Sequence, residues 1–219
     1  MIDAHTHVVR GEEMHFVCEP FTSEIGENDI AFYGLHPWDY AQWDGGEHLR
    51  EALASNLTAG VGEIGLDRMK ERNIPQLMRD VFSFQLGIAA EFKRGVVLHG
   101  AKCWGEVVKA CMPYKGKIPS FLFHGFSRSG GLMNDIKSLN GFISVGAAVL
   151  NDHAVNYREL VKAIPNEMIL IESDATEDNV ALQPSVIDIA RKTAELRGMD
   201  FGVFAELVKA NAFRFLKFI

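Results

Sequence analysis

Eight short β-rich runs, most of them followed by an amphipathic stretch, set the tightest limit on how this chain can fold. They occupy residues 1–5, 15–18, 30–34, 59–64, 95–99, 120–124, 141–145 and 168–173. Helical patterns lie between the later runs, over 48–56, 75–93, 104–112, 131–139 and 155–164, and three more follow the last run at 184–197, 201–209 and 212–218. Strands alternating with helices call for a parallel sheet covered by helices, and eight of them predict an α/β fold of the TIM-barrel type. No internal repeat, low-complexity tract or linker interrupts the chain, so residues 1–219 read as one domain. One stretch breaks the alternation. Only about six to nine residues separate the first two runs, whereas a parallel crossover with its helix takes roughly a dozen. The first covering helix is therefore missing or shortened. Either the second run pairs differently, or the barrel is open or irregular on that side. Residues 19–29 are likewise too short and too polar for a full covering helix.

The polar residues at the ends of these runs carry the chemistry. His5 and His7 interrupt the apolar opening MIDAHTHVV. Being two apart on an extended chain, they point to one face and can grip one ion. Glu63 falls in AGVGEIGLD, His99 ends GVVLH, His124 ends SFLFH, and Asp174 follows ILIES. Each is read at the carboxyl end of its strand, and in a parallel barrel those ends share one mouth. A lone strand-end histidine is usually a hydrogen-bonded structural residue. Six ligand-type residues converging on one mouth are a different matter. Imidazole with carboxylate suits zinc, manganese and related divalent ions, and a carboxylate can bridge two of them. Water held by such ions loses a proton near neutral pH and becomes a nucleophile.

Composition excludes several alternatives. A chain of 219 residues with 47% hydrophobic and 23% charged residues has the makings of a packed core. The net charge of −7 argues against an extended nucleic-acid-binding surface. The three cysteines, Cys18, Cys103 and Cys111, lack metal-ligand spacing and read as free, buried thiols of a reducing compartment. No run is long enough for a membrane span, and the amino terminus lacks the layout of a signal peptide. A cytoplasmic protein without membrane attachment is expected. Nothing in the sequence sets an oligomeric state.

The ordered motifs IDAHTH, GLHP (34–37), VGEIGLD (61–67), FQLGIAAEFKRGVVLH (84–99), FHGFS (123–127), IESD (171–174) and NAFRF (211–215) resemble the TatD family of metal-dependent hydrolases, in the amidohydrolase superfamily. The resemblance implies a site for two divalent ions (zinc, manganese or magnesium). His5, His7 and Asp174 would hold one, His99 and His124 the other, and Glu63 would bridge them. Asp174 would also accept the proton of the attacking water. The family is described mostly as divalent-metal-dependent deoxyribonucleases, so the implied reaction is phosphodiester hydrolysis by metal-bound hydroxide, on a small phosphodiester or a DNA end. Glu63 stands where other branches of the superfamily use a carboxylated lysine. The chain also departs from the family pattern, with Val9 for Asp or Asn, Ala101 for Arg, Arg68 for an aromatic, and SDAT (173–176) for TDAP. Metal ligands survive while substrate-facing residues change. Two rivals follow: an amidase, esterase or lactonase using the same activated water, and a metal-binding protein without catalysis.

The remaining polar residues each carry two readings. His36 orients a phosphate or is a turn histidine bound to backbone. Asp3 supports a ligand or is a hydrogen-bonded buried acid. Asp67 touches substrate or, as the better reading, caps a helix. Arg68, Lys102 and Arg128 are candidate phosphate contacts or solvated loop cations. His15, His48 and His153 have no constellation around them and read as structural.

Overall fold

The computed structural model describes residues 1–9, 14–18, 25–69, 72–127 and 130–217. Eight strands, β1 (Ile2–Thr6), β2 (Met14–Cys18), β3 (Ile30–Tyr33), β4 (Gly60–Asp67), β5 (Val96–Ala101), β6 (Phe121–Phe123), β7 (Gly141–Val145) and β8 (Ile169–Ile171), form one sheet in sequence order. Every neighbouring pair is parallel. Helices α1 (Glu47–Ser55), α2 (Gln76–Phe92), α3 (Trp104–Cys111), α4 (Met133–Ser138), α5 (Val155–Ala163), α6 (Val186–Leu196) and α7 (Phe201–Phe215) follow the later strands. The second run pairs parallel with both neighbours, with a register shift against β1 between Asp3 and Thr6. Among the described residues no helix stands between β1 and β3. The barrel is nearly closed, and chain beyond β8 supplies the join: Asp174 N–H donates to the His5 carbonyl (3.1 Å) and His7 N–H to the Ala175 carbonyl (2.8 Å).

Strand parity divides the apolar residues into two bodies. Val96, Leu98, Phe121, Phe123, Ile143, Ile169 and Ile171 pack outward with the helices. Val97, Leu122, Phe142 and Leu170 form a second cluster with Phe16, Phe32 and Phe215. Because side chains alternate along a strand, the inner face continues upward to His99, His124, Ser144 and Glu172. The other end is plugged by α7. The Phe215 ring lies 5.6 to 5.9 Å from those of Phe16, Phe32 and Phe142, and its carbonyl accepts Ser120 Oγ (2.7 Å), just before β6. An apolar floor thus lies beneath a polar mouth.

Three expectations are corrected. The two final helical patterns form one helix, because Asn211 does not interrupt it. Its amide donates to the carbonyls of Asn166 (2.7 Å) and Ile169 (2.8 Å), tying α7 to β8. Strands β4 and β5 run past their predicted ends, since Leu66 and Asp67 still pair with Gly100 and Ala101. Glu63 therefore sits inside its strand, where the β4–β5 register shifts between Val61 and Ile64. Such irregularities re-aim side chains. Gly65 permits the close pairing that follows, because a Cβ there would meet the His99 carbonyl oxygen at 2.0 Å.

Candidate metal centre

The buried Glu63 carboxylate is the hub of the mouth. Its Oε1 lies 2.5 Å from His99 Nδ1, 2.7 Å from His124 Nε2 and 3.9 Å from His36 Nε2. Its Oε2 lies 3.5 Å from both His5 Nε2 and His7 Nε2. Asp174 Oδ1 approaches the same two nitrogens, at 3.4 and 4.0 Å. The two oxygens of one carboxylate thus divide the histidines into a β1 group and a β5/β6 group. The donor atoms fall into three sets that could each hold an ion: His5, His7 and Asp174; His5, Glu63 and His124; and His36, Glu63 and His99.

Local structure explains how the donors arrive. The β1–β2 register shifts between Asp3 and Thr6, the stretch that carries His5. Asp174 adopts a left-handed backbone (φ 52°), a conformation uncommon outside glycine and met at functional turns. Asp3 holds that turn in place. Its carboxylate accepts Ser173 N–H (2.9 Å) and Ser173 Oγ (2.6 Å), so it is a hydrogen-bonded buried acid. Burial pushes its pKa up to about 6. The loop bearing His36 is gripped from α2. Buried Gln85 accepts Leu35 N–H (2.7 Å) and donates to the Leu35 carbonyl (3.1 Å).

The charges are strongly coupled. Burial would raise the pKa of Glu63, but His124 and His5 outweigh it and hold the carboxyl well below its ordinary range. Burial also opposes the charge on His124, yet Glu63 and Glu172 raise its pKa well above 6.5. The His5 pKa is lowered by burial and by the neighbouring His124, whose ring stacks on it at 4.0 Å. Burial and nearby histidines bring His36 down to about 4. For Asp174, burial is outweighed by His5, and the pKa falls.

The donor set fits a divalent cation. Both ring nitrogens of fully buried His5, and Nδ1 of His124, make no hydrogen bond. Buried polar atoms are nearly always paired, and four or five imidazoles facing two carboxylates are hard-to-borderline ligands at close quarters.

Two carboxylates that the sequence reading undervalued complete the site. Asp67 caps no helix, since α2 begins nine residues later. Its Oδ2 instead lies 2.9 Å from His99 Nε2 and accepts the Trp38 indole N–H (2.8 Å). Glu172, 1% exposed, accepts Gly125 N–H (2.8 Å) and pairs with Ser144 Oγ. Its Oε2 stands 3.6 Å from His124 Nδ1. Both could have been found by counting in twos, from Glu63 to Asp67 and from Asp174 back to Glu172.

The expected phosphate contacts are not gathered in the same way. Arg68 pairs with Glu106, which also binds Arg79 (2.6 Å). Lys102 is exposed on a left-handed turn (φ 57°), and Arg128 lies outside the described residues. A cavity of 270 Å³ beside the hub is lined by His7, Cys18, Gly34, Leu35, His36, Asp39, Gln42, Gly62 and Glu63, with no Lys or Arg among the described residues. Of the histidines set aside, His15 bonds Asp29 (2.8 Å), His48 pairs with Asp44 at the surface, and His153 N–H donates to Asn151 Oδ1 (2.9 Å). The three cysteines are buried thiols outside any disulfide, and burial pushes the Cys103 thiol up to about 12.

The family model described as "TatD related DNase" matches residues 18–217. The chain belongs to the TatD family. It is 26% identical over 204 residues to the uncharacterized metal-dependent hydrolase YabD of Bacillus subtilis, covering 88% of this chain and 80% of that one. It is 31% identical over 145 residues to the 3'-5' ssDNA/RNA exonuclease TatD of Klebsiella pneumoniae, a match covering 65% of this chain and 55% of the relative. The crystal structure of a TatD homologue from Escherichia coli superposes with a TM-score of 0.80 at 23% identity, over 92% of this chain and 85% of that one. A TatD-family hydrolase from Entamoeba histolytica gives 0.76 at 14% identity, over 97% and 96%. As a TatD-family member the chain is a metal-dependent hydrolase, and its barrel is the fold of these structures.

Proposed function

We propose that the protein hydrolyses phosphodiester bonds of single-stranded nucleic acid ends, using two divalent ions held around Glu63. The reading rests on the division of histidines between the two oxygens of that carboxylate. His5, His7 and Asp174 would hold one ion and His99 and His124 the other, with Glu63 shared. The ions would polarise the phosphoryl group and activate a water for attack. The chain's own residues do the rest. Asp67 accepts the Nε2 proton of His99 and so leaves Nδ1 as the ligating nitrogen. Glu172 faces Nδ1 of His124 and keeps Nε2 toward the hub. Asp174, half exposed and held ionised by His5, is available as base. The water oxygen bonds phosphorus, its proton passes to Asp174, and the ester oxygen leaves. Support for nucleic acid as substrate comes from relatives named as ssDNA/RNA exonucleases.

The test is a panel measured with added zinc, manganese or magnesium: a short single strand, bis(nitrophenyl) phosphate, and a set of lactones and amides. Cleavage of the strand and the phosphodiester is expected. Turnover confined to lactones or amides would replace this reading with a neutral-substrate hydrolase, and metal binding with no turnover would leave a binding protein.

A further inference from the structure

Trp38 follows His36 by two residues and leaves 51% of its surface exposed. Large aromatics seldom stand so open, and this one is not loose. Its indole N–H donates to Asp67 Oδ2 (2.8 Å), the oxygen that faces His99. Its backbone N–H donates to His36 Nδ1 (3.2 Å). The ring stands at 89° to that of His36, centroids 5.0 Å apart, and His36 in turn stands 4.8 Å from His99. A rigid aromatic surface is therefore held one imidazole away from the hub carboxylate. Met69, 56% exposed, donates its backbone N–H to the same Asp67 carboxylate. Among the described residues the lining of the neighbouring cavity holds no Lys or Arg, so stacking would give a bound nucleotide a contact that this described lining does not supply as an ion pair.

We propose that Trp38 is the stacking platform for the nucleobase next to the scissile phosphate. The assignment rests on the phosphodiester reading above. Stacking on an aromatic face is sequence-tolerant and needs no hydrogen-bond readout. An anchored ring also loses little freedom when a base settles on it. Trp38 thus serves recognition, while its N–H keeps Asp67 aimed at His99.

The experiment compares kcat/KM of wild type, Trp38→Ala and Trp38→Phe on a short single strand and on the same strand with abasic sugars flanking the cut. Metal content is measured in each variant. Trp38→Ala is expected to lose roughly tenfold or more on the base-bearing strand, while Trp38→Phe, which keeps a ring but no N–H, stays within about threefold. Removing the ring and removing the base should not add, as for two halves of one contact. Equal losses on both strands, or Trp38→Phe falling as far as Trp38→Ala, would overturn the platform and leave Trp38 a support for Asp67. If metal-loaded wild type cleaves neither strand, the phosphodiester reading itself falls, and the platform with it. If wild type cleaves both strands equally well, the platform alone falls.

Discussion

Glu172 faces the nitrogen of His124 that is turned away from Glu63. The ring thus has one carboxylate behind it, 3.6 Å from Nδ1, and one before it, 2.7 Å from Nε2. Glu172 is itself fixed by Gly125 N–H and Ser144 Oγ. Partners placed behind a ligand typically matter by 10- to 100-fold in metal affinity or activity. Glu172→Ala is expected to lose about that much of both, and Glu172→Gln, which keeps the shape, less. Metal titration and steady-state kinetics on the two variants check it. Unchanged values in both would show that Glu63 alone orients His124.

The same pair sets a pH dependence. Glu63 and Glu172 raise the His124 pKa above 6.5 against the effect of burial, and a metal must displace that proton. Apparent metal affinity is therefore expected to climb with pH above 6.5. In chelator-treated protein the signs differ. The depressed Glu63 carboxyl contributes stability that is present above 4.5 and is lost as pH falls through its folded value. The raised His124 contributes stability that is present below 6.5 and is lost as pH rises through its folded value. Metal-free protein should thus gain most from this pair between pH 4.5 and 6.5. Added metal should move the stability maximum upward. Thermal melts across pH, with and without chelator, read both effects, and a maximum unmoved by metal would count against His124 as a ligand.

Loss of the hub should remove metal from both groups together. Glu63→Gln keeps the volume but withdraws the charge that faces five histidines. It is expected to lower total bound metal and to cost more than the 10- to 100-fold seen for outer partners. Elemental analysis beside activity checks it. Full occupancy in the variant would exclude a shared ligand.

Asp174 separates binding from chemistry. The amide of Asp174→Asn can still accept hydrogen bonds but cannot take a proton at working pH. A lost general base typically costs 10²- to 10⁴-fold. The expected result is a kcat lower by that factor with KM little changed. Near-normal kcat would mean that another group takes the proton.

How much of this was legible in the sequence depended on the distance over which a residue's partner lies. All eight strands were readable because alternation and apolar runs are local, and the hub donors because each is a polar residue set in or just after such a run, although Glu63 and His99 lie inside their strands and not at the ends. Glu172 follows directly on β8, two residues before Asp174, and was legible in principle, but a carboxylate beside a stronger motif is easily passed over. Asp67 was read as a helix cap because capping is the commoner use of that residue type. Its partners His99 and Trp38 lie 32 and 29 residues away, and only the β4–β5 pairing brings them to it. Gln85 grips a loop 50 residues distant, a contact that no periodicity announces. The helical pattern was split between 209 and 212 for the same reason, since the carbonyls that Asn211 serves belong to other segments.

The electrostatics of the mouth set the last expectation. Arg68 is already paired with Glu106, and the cavity beside the hub has no Lys or Arg in its lining among the described residues. Arg68→Ala should therefore change phosphodiester turnover by less than about twofold, as expected for a surface ion pair. If Lys102 makes one phosphate contact, the slope of log affinity against log salt for a single strand is about −0.7. Raising salt from about 50 to 200 mM would then weaken binding only about threefold, against a thousandfold or more for a protein holding many phosphates through Lys and Arg. Lys102→Ala should flatten even that slope. Filter binding at saturating metal measures both. A steep slope in wild type would show a basic track along the strand and would place recognition well beyond the metal mouth.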